Sequence, residues 1–227
     1  MKMNFFICIY SLMLLSACTE TRYVDYQDQA GSSQTFNRQV EFKVDKSFYQ
    51  DPPDCVVVLP SLSSNKEQNN KHDRLVGDAL ARQLSIKINR VIGPSERDRL
   101  VRQLGLDVSN PADRVVLTRQ SRCRFFVQAK PWGPSSVNGV VWSETRVGLE
   151  VLVTRAQDNI LLWQARHVAT RSGGGIPLSP FSIVTNIVMA ARFNADGDVP
   201  LSLIDDALRR MISTLPDTRY ALKSNSE

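Results

Sequence analysis

From Val140 to Thr154 the chain alternates. Val141, Thr145, Val147, Leu149, Val151 and Val153 fall on one face, and Glu144, Arg146 and Glu150 on the other. A period of two with one wet face is the signature of a half-buried strand. Gln157-Asp158-Asn159 follows as a turn, and Ile160 to Arg171 returns as the partner strand. The chain is therefore expected to contain a long antiparallel hairpin, which needs a second layer to cover its dry face.

Upstream of the hairpin the pattern changes. Asp51-Pro52-Pro53-Asp54 reads as a turn that opens the domain. Cys55 to Leu59 is a continuous apolar, β-branched run, the pattern of a strand buried on both faces. Pro60 ends it, and a polar loop runs to Lys71. Asp73 is expected to cap a helix to about Asn89, with Val76, Leu80 and Leu84 at four-residue spacing. Arg90 to Gly93 is a short strand candidate. Ser95 opens a further helix with Asp98 at the capping-box position, striped by Leu100, Val101 and Leu104 and stopped by Gly105. Asn110-Pro111 starts a third helix carrying Val115, Val116 and Leu117. Arg124 to Lys130 reads as a strand broken by Pro131-Trp132-Gly133-Pro134.

After the hairpin, Ser172-Gly173-Gly174-Gly175 reads as a flexible break. The strongly apolar stretch 176–192 follows, with Phe181, Ile183 and Ile187 among its large side chains. Two placements are open for it: a buried helix, or one lying on lipid or on a partner. The last helix is expected from about Leu201 to Thr214, with Ile204, Leu208, Met211, Ile212 and Leu215 on one stripe and Asp205-Asp206 in its first turn. The order predicts an α/β fold: a mixed β-sheet flanked by helices, with a long antiparallel hairpin and a C-terminal amphipathic helix.

The amino terminus carries an address. Lys2 precedes an apolar run from Phe5 to Leu15, too short to span a bilayer as a helix and about the length of a signal-peptide core. It ends in Leu15-Ser16-Ala17-Cys18, which resembles the bacterial lipobox: a branched apolar residue, two small residues, then cysteine. Under this reading residues 1–17 are a signal peptide and Cys18 carries the acyl chains, each methylene of which adds about 0.8 kcal/mol to membrane attachment. Thr19 follows rather than Asp, which favours the outer membrane with the domain facing the periplasm. Residues 18–50 are polar and irregular and are expected to be a lipidated tether. The periplasmic α/β domain is then 51–216, and 217–227 a loose tail.

Losing Lys2 with the leader lowers the formal charge from +5 to +4. The basic surplus is spread along the chain without a block of Lys or Arg, so no nucleic-acid partner is expected.

Of the four cysteines, Cys8 leaves with the leader and Cys18 is lipidated. Cys55 and Cys123 remain, each immediately before an apolar strand. Parallel neighbouring strands would put both at one end of the sheet, where a disulfide in an oxidising compartment and a pair of buried free thiols are both open.

Reactive constellations are scarce. The sequence holds two His, too few for a His-rich metal site. No P-loop, dinucleotide fingerprint or nucleophile elbow occurs. His72 falls in a polar loop and His167 in a strand, read as structural or solvated. Asp196-Gly197-Asp198 supplies too few oxygens for calcium. No catalytic residue, metal or cofactor is expected. Trp132, in its Pro/Gly loop, has two readings: a lid over the core, or an exposed anchor for a partner.

Three phrases resemble the CsgG-like lipoproteins, whose fold is related to the amino-terminal domain of TolB. They are Val56-Val57-Val58-Leu59-Pro60; the helix from Leu75 to Ile88 leading through Val91-Ile92 to Glu96-Arg97-Asp98-Arg99-Leu100; and Phe125-Phe126-Val127-Gln128-Ala129 before the hairpin and closing helix. The resemblance covers roughly residues 54–215. It implies a non-enzymatic outer-membrane lipoprotein, a scaffold or accessory in curli-type or exopolysaccharide-type assembly or export, acting by self-association. The alternative it implies is a lipoprotein that activates a cell-wall synthase by direct contact. A hydrolase with an unrecognised site is a third reading. The expected partners are the membrane, through the N-terminal lipid, and further copies or an envelope protein, with contact through Trp132, Phe181, Ile183 and Ile187. One departure from the family stands out: Pro131 to Gly139 is too short and polar for inserted membrane hairpins, whose strands need about 9–11 residues each.

Overall fold

The computed structural model describes residues 21–26, 39–61, 69–132, 137–138, 142–174 and 198–219. Cys18, Phe181, Ile183 and Ile187 lie outside the described residues. The elements are β1 (Arg22–Asp25), β2 (Gln39–Val44), α1 (Lys46–Gln50), β3 (Cys55–Val58), α2 (Asn69–Leu84), β4 (Arg90–Ile92), α3 (Pro94–Leu104), α4 (Pro111–Ser121), β5 (Phe125–Pro131), β6 (Val137–Asn138), β7 (Trp142–Arg155), β8 (Leu161–Gly174) and α5 (Asp198–Ile212).

One mixed sheet runs through the domain in the order β1-β2-β8-β7-β5-β3-β4, with β6 pairing β7 off that path. The expected α/β fold, a mixed sheet flanked by helices, is the one observed. β3 pairs parallel with both β4 and β5, while β7 and β8 form the long antiparallel hairpin. Its turn ends at Asn159, in the left-handed region (φ 56°), a conformation asparagine tolerates better than most residues.

The sheet is covered unequally. On one face α2 and α5 bury Val76, Leu80, Leu84, Ile204, Leu208 and Met211 against Val56, Val127, Val151, Val153 and Trp163. On the other face α3 and α4 cover only the β4-β3-β5 end, where Leu117 packs on Cys55, Val57, Ile92 and Phe126. The domain has three layers at that end and two at the other. Consecutive helix positions cannot all share a face, so of the run Val115-Val116-Leu117 in α4 only Leu117 is buried, while Val115 and Val116 are exposed.

Several expectations change in detail. Residues 22–25 and 39–44, taken as part of a tether, are strands of the sheet, and Val40 and Phe48 are fully buried. Their burial against β8 outweighs the polar composition of the segment. Ser172, Gly173 and Gly174, expected as a break, continue β8 and pair with Glu144, Ser143 and Trp142. Helix α2 begins at Asn69, so Asp73 lies inside it, and α5 begins at Asp198, which moves Asp205 and Asp206 beyond its first turn. The N-cap of α3 is Gly93 with Pro94 at the first position, whereas Asn110 caps α4 through its side chain, accepting from the Ala112 amide at 3.0 Å.

Residues 213–219, after α5, pack back on the domain. Thr218 is buried, its amide donating to the Lys87 carbonyl (3.0 Å) and its hydroxyl to the Pro53 carbonyl (2.8 Å). Residues 217–219 therefore close the base of the domain.

Candidate functional site

The helix-free face of the sheet carries a cross-strand row of charges running from β2 to β5. Register places Glu41 of β2 opposite Arg166 of β8, Arg166 opposite Glu150 of β7, and Glu150 opposite Lys130 of β5. Signs alternate along the row, so every neighbour attracts, the favourable arrangement for directly opposed side chains. Arg166 donates to Glu41 Oε2 from Nε (2.9 Å) and Nη2 (2.6 Å). Lys130 Nζ lies 2.8 Å from Glu150 Oε2.

Although they belong to the helix-free face, Glu150 and Arg166 are 4% and 5% exposed. Two aromatic side chains cover them. The Arg166 guanidinium lies 4.3 Å from the centroid of the Tyr26 ring and 4.7 Å from that of Trp132. Both distances are within cation–π range, and the interaction strengthens as the cation is desolvated. Tyr26 also donates its hydroxyl to Glu150 Oε1. Removal from water, together with the Glu150 carboxylate, pushes the Tyr26 hydroxyl up to about 12. It remains a protonated donor throughout the neutral range.

Trp132 reaches this position because the backbone at Gly148 leaves room. The Trp132 amide donates to the Gly148 carbonyl at 2.9 Å, and a Cβ on Gly148 would lie 1.6 Å from the Trp132 carbonyl oxygen. Trp132 thus closes over the charge row rather than over the apolar core. Chemically the cluster is a latch. Its carboxylates and cations neutralise one another, and none is presented as a nucleophile or base.

Tyr26 ties the segment that carries β1 to the sheet, and β1 is held on its other face too. There, Ser213 just beyond α5 donates to the Tyr23 hydroxyl at 3.1 Å, and Arg210 of α5 bonds the Thr21 hydroxyl. His167 lies beneath the same corner. Its Nδ1 is 2.7 Å from the Gln39 carbonyl, an acceptor only, so Nδ1 carries the proton. Burial, with a smaller contribution from Arg210, holds its pKa below the ordinary value, which keeps the ring neutral.

At the opposite end of the sheet, Cys55 and Cys123 are joined by a disulfide with Cα atoms 5.4 Å apart. Arg122 makes this geometry by ending α4 in the left-handed conformation (φ 54°), which turns the chain back onto β3. Buried Arg97 has a structural role: it donates to the Val58 carbonyl at the end of β3 (2.6 Å) and pairs with Asp98 (2.7 Å). Among the described residues no group of three or more His, Cys, Asp or Glu is arranged to hold a metal ion, and no helix is long and apolar enough to cross a membrane.

No family model matches the chain, and no curated protein matches it. Solved structures similar to it are distant. The PelC dodecamer from Paraburkholderia phytofirmans is 13% identical, over 78% of this chain and 98% of that one, with a TM-score of 0.40. Lipoprotein GNA1162 from Neisseria meningitidis is 14% identical, over 63% and 99%, with a TM-score of 0.41. The LpoB C-terminal domain from Salmonella enterica is 13% identical, over 54% and 89%, with a TM-score of 0.35.

Of the residues singled out from sequence, the fold brings Cys55 to Cys123 and seats Trp132 on Arg166. Sequence reasoning missed Tyr26, Glu41 and Arg166 as a unit. The alternation of Val40, Phe42 and Val44 with Gln39, Glu41 and Lys43 was the signal that could have located β2 and hence the row.

Proposed function

We propose that the chain is a lipid-anchored outer-membrane protein with a non-catalytic, scaffolding or accessory role in envelope assembly or export, acting by self-association. The observation that carries this reading is the Cys55–Cys123 disulfide in a chain whose leader ends in Leu15-Ser16-Ala17-Cys18. Disulfides persist in oxidising compartments, and a lipobox delivers a protein to one. The CsgG-like pattern of residues 54–215 supports the same class.

For self-association, the exposed Leu104 of α3 and Val115 and Val116 of α4 lie at the end of the sheet that closes with β4. Contact through these residues removes apolar surface from water at the end away from the amino terminus. The test is light scattering on residues 19–227 exported to the periplasm, paired with mass spectrometry of the full-length product. An oligomer of several subunits and an acylated Cys18 are expected. A monomeric particle at all concentrations overturns self-association, and an unmodified polypeptide beginning at Met1 overturns the anchor.

A further inference from the structure

A chain tied to a membrane by its first residue is usually free to tumble on its tether. Here the tether is short, because the anchor-proximal segment is part of the sheet. Thr21, three residues after Cys18, is bonded to Arg210. Three residues span at most about 10 Å. Were β1 undocked, the next strand residue would be Gln39 at the start of β2, and the chain from Cys18 to it could span at most about 70 Å.

The contacts that hold β1 come from both faces of the sheet. Its four residues pair with Gln39 to Phe42 of β2, and the Tyr26 amide adds a bond to the Phe42 carbonyl at 3.0 Å. On the helix-free face Tyr26 is fastened to Glu150 and Arg166; on the other, Tyr23 and Thr21 are fastened to Ser213 and Arg210.

We propose that the corner formed by β1 and the C-terminal half of α5 rests against the bilayer surface, with the Tyr26 latch holding it there. The proposal rests on the reading of Cys18 as acylated. The opposite edge, β4 with its neighbouring helices, is six strand spacings away, about 29 Å along the sheet. The occupant of the corner is the lipid headgroup layer itself, because the acyl chains that enter it leave the protein within about 10 Å of Thr21. Docking and undocking of β1 would therefore set how far the rest of the domain stands from the membrane.

The experiment uses the full-length, natively processed protein in vesicles of phosphatidylethanolamine and phosphatidylglycerol containing a headgroup nitroxide lipid. A thiol-reactive fluorophore is placed at Arg209→Cys, an exposed position of α5, or at Arg99→Cys, an exposed position of α3 at the far edge. The latch is then released with Tyr26→Ala in each background. The expected result is quenching several-fold stronger at position 209 than at 99, with the difference lost on Tyr26→Ala. Equal quenching at the two positions in protein shown by mass spectrometry to be acylated overturns the orientation and leaves the anchor standing. Protein that is not acylated overturns the anchor and the orientation together. A difference that survives Tyr26→Ala overturns the latch, and Tyr26→Phe, which keeps the ring on Arg166, serves as a variant closer to the native fold.

Discussion

The Tyr26 hydroxyl donates to Glu150, 124 residues further along the chain and three strands across the sheet. Glu150 also holds Lys130, so removing its carboxylate strands two partners at once. Glu150→Ala should destabilise the domain by about 3 kcal/mol, the low end for breaking a buried pair because Lys130 is partly exposed. Tyr26→Phe removes one hydrogen bond and leaves the ring on Arg166, so its cost should be near 1 kcal/mol. Urea unfolding of the two variants checks the ranking; equal costs would mean that the carboxylate is not the centre of the cluster.

Titration of Tyr26 gives an independent check. Its pKa is raised from the ordinary 10.0 to about 12, chiefly by burial and then by Glu150. A neutral hydroxyl favoured by folding gives stability that is fully present below the unfolded value and is lost as pH rises from about 10 to about 12. Tyrosinate absorbance followed against pH should show one late-ionising group that disappears in Tyr26→Phe. A Tyr26→Phe curve that merely scales the parent curve would mean that Tyr26 titrates with the other tyrosines.

Much of the fold was legible because its strongest signals are local. The alternation in β7 and the run Val56-Val57-Val58 depend on nearest-neighbour spacing; Leu149, Val151, Val153 and the three valines of the run are 5% exposed or less, and Val147 is partly buried. The same alternation put Glu150 on the wet face, which is correct as a side of the sheet and wrong as an environment. Period two says which way a residue points, but not that Tyr26 and Trp132 will fold over it. β1 was illegible for a related reason. Arg22-Tyr23-Val24-Asp25 is too short and too polar to carry a pattern, and its stability comes from β2, α5 and the latch, all distant in sequence. The Gly173-Gly174 end of β8 read as a break because glycine weakens strands intrinsically, an effect overridden by pairing with β7.

His167 links the same corner to acid. Burial depresses its folded pKa below the ordinary 6.5; Arg210 acts in the same direction, while Asp206 and the bond to Gln39 oppose it. The unfolded chain then binds the proton first, so stability is fully present above about pH 6.5 and falls as pH drops through that value towards the folded pKa. Melting temperature measured from pH 7.5 to 5 should decline, and His167→Gln should flatten the part of the decline nearest pH 6. An unchanged slope in that variant would assign the acid sensitivity to the carboxylates instead.

The disulfide closes a separation of 68 residues that contains α2, β4, α3 and α4. In the chain-entropy treatment a loop of that size restricts the unfolded chain by about 4 kcal/mol. The double variant Cys55→Ala/Cys123→Ala should lose a stability of that order in urea unfolding. Both sulfurs are buried between β3, β5 and α4, so the parent protein should resist mild reductant until it unfolds. Reduction of the folded protein at the rate of an exposed disulfide would contradict this burial.

Gly148→Ala tests how the aromatic cover is seated. The added Cβ would meet the Trp132 carbonyl oxygen at 1.6 Å and its carbonyl carbon at 2.8 Å, with Val168 at 3.3 Å. The first two atoms are main chain, so the clash cannot be relieved by rotating a side chain. The segment at Trp132 must move, breaking its bond to the Gly148 carbonyl and lifting the indole from Arg166. The cost should be at least about 2 kcal/mol, at the upper side of ordinary overpacking, with a red shift in tryptophan emission as Trp132 becomes wetter. Trp132→Ala alone should cost less, because it removes the stacking and leaves the backbone in place. Adding Trp132→Ala to Gly148→Ala should not restore stability, since the offending atoms remain; full rescue by the double variant would show that the indole, rather than the main chain, fills the space beside Gly148.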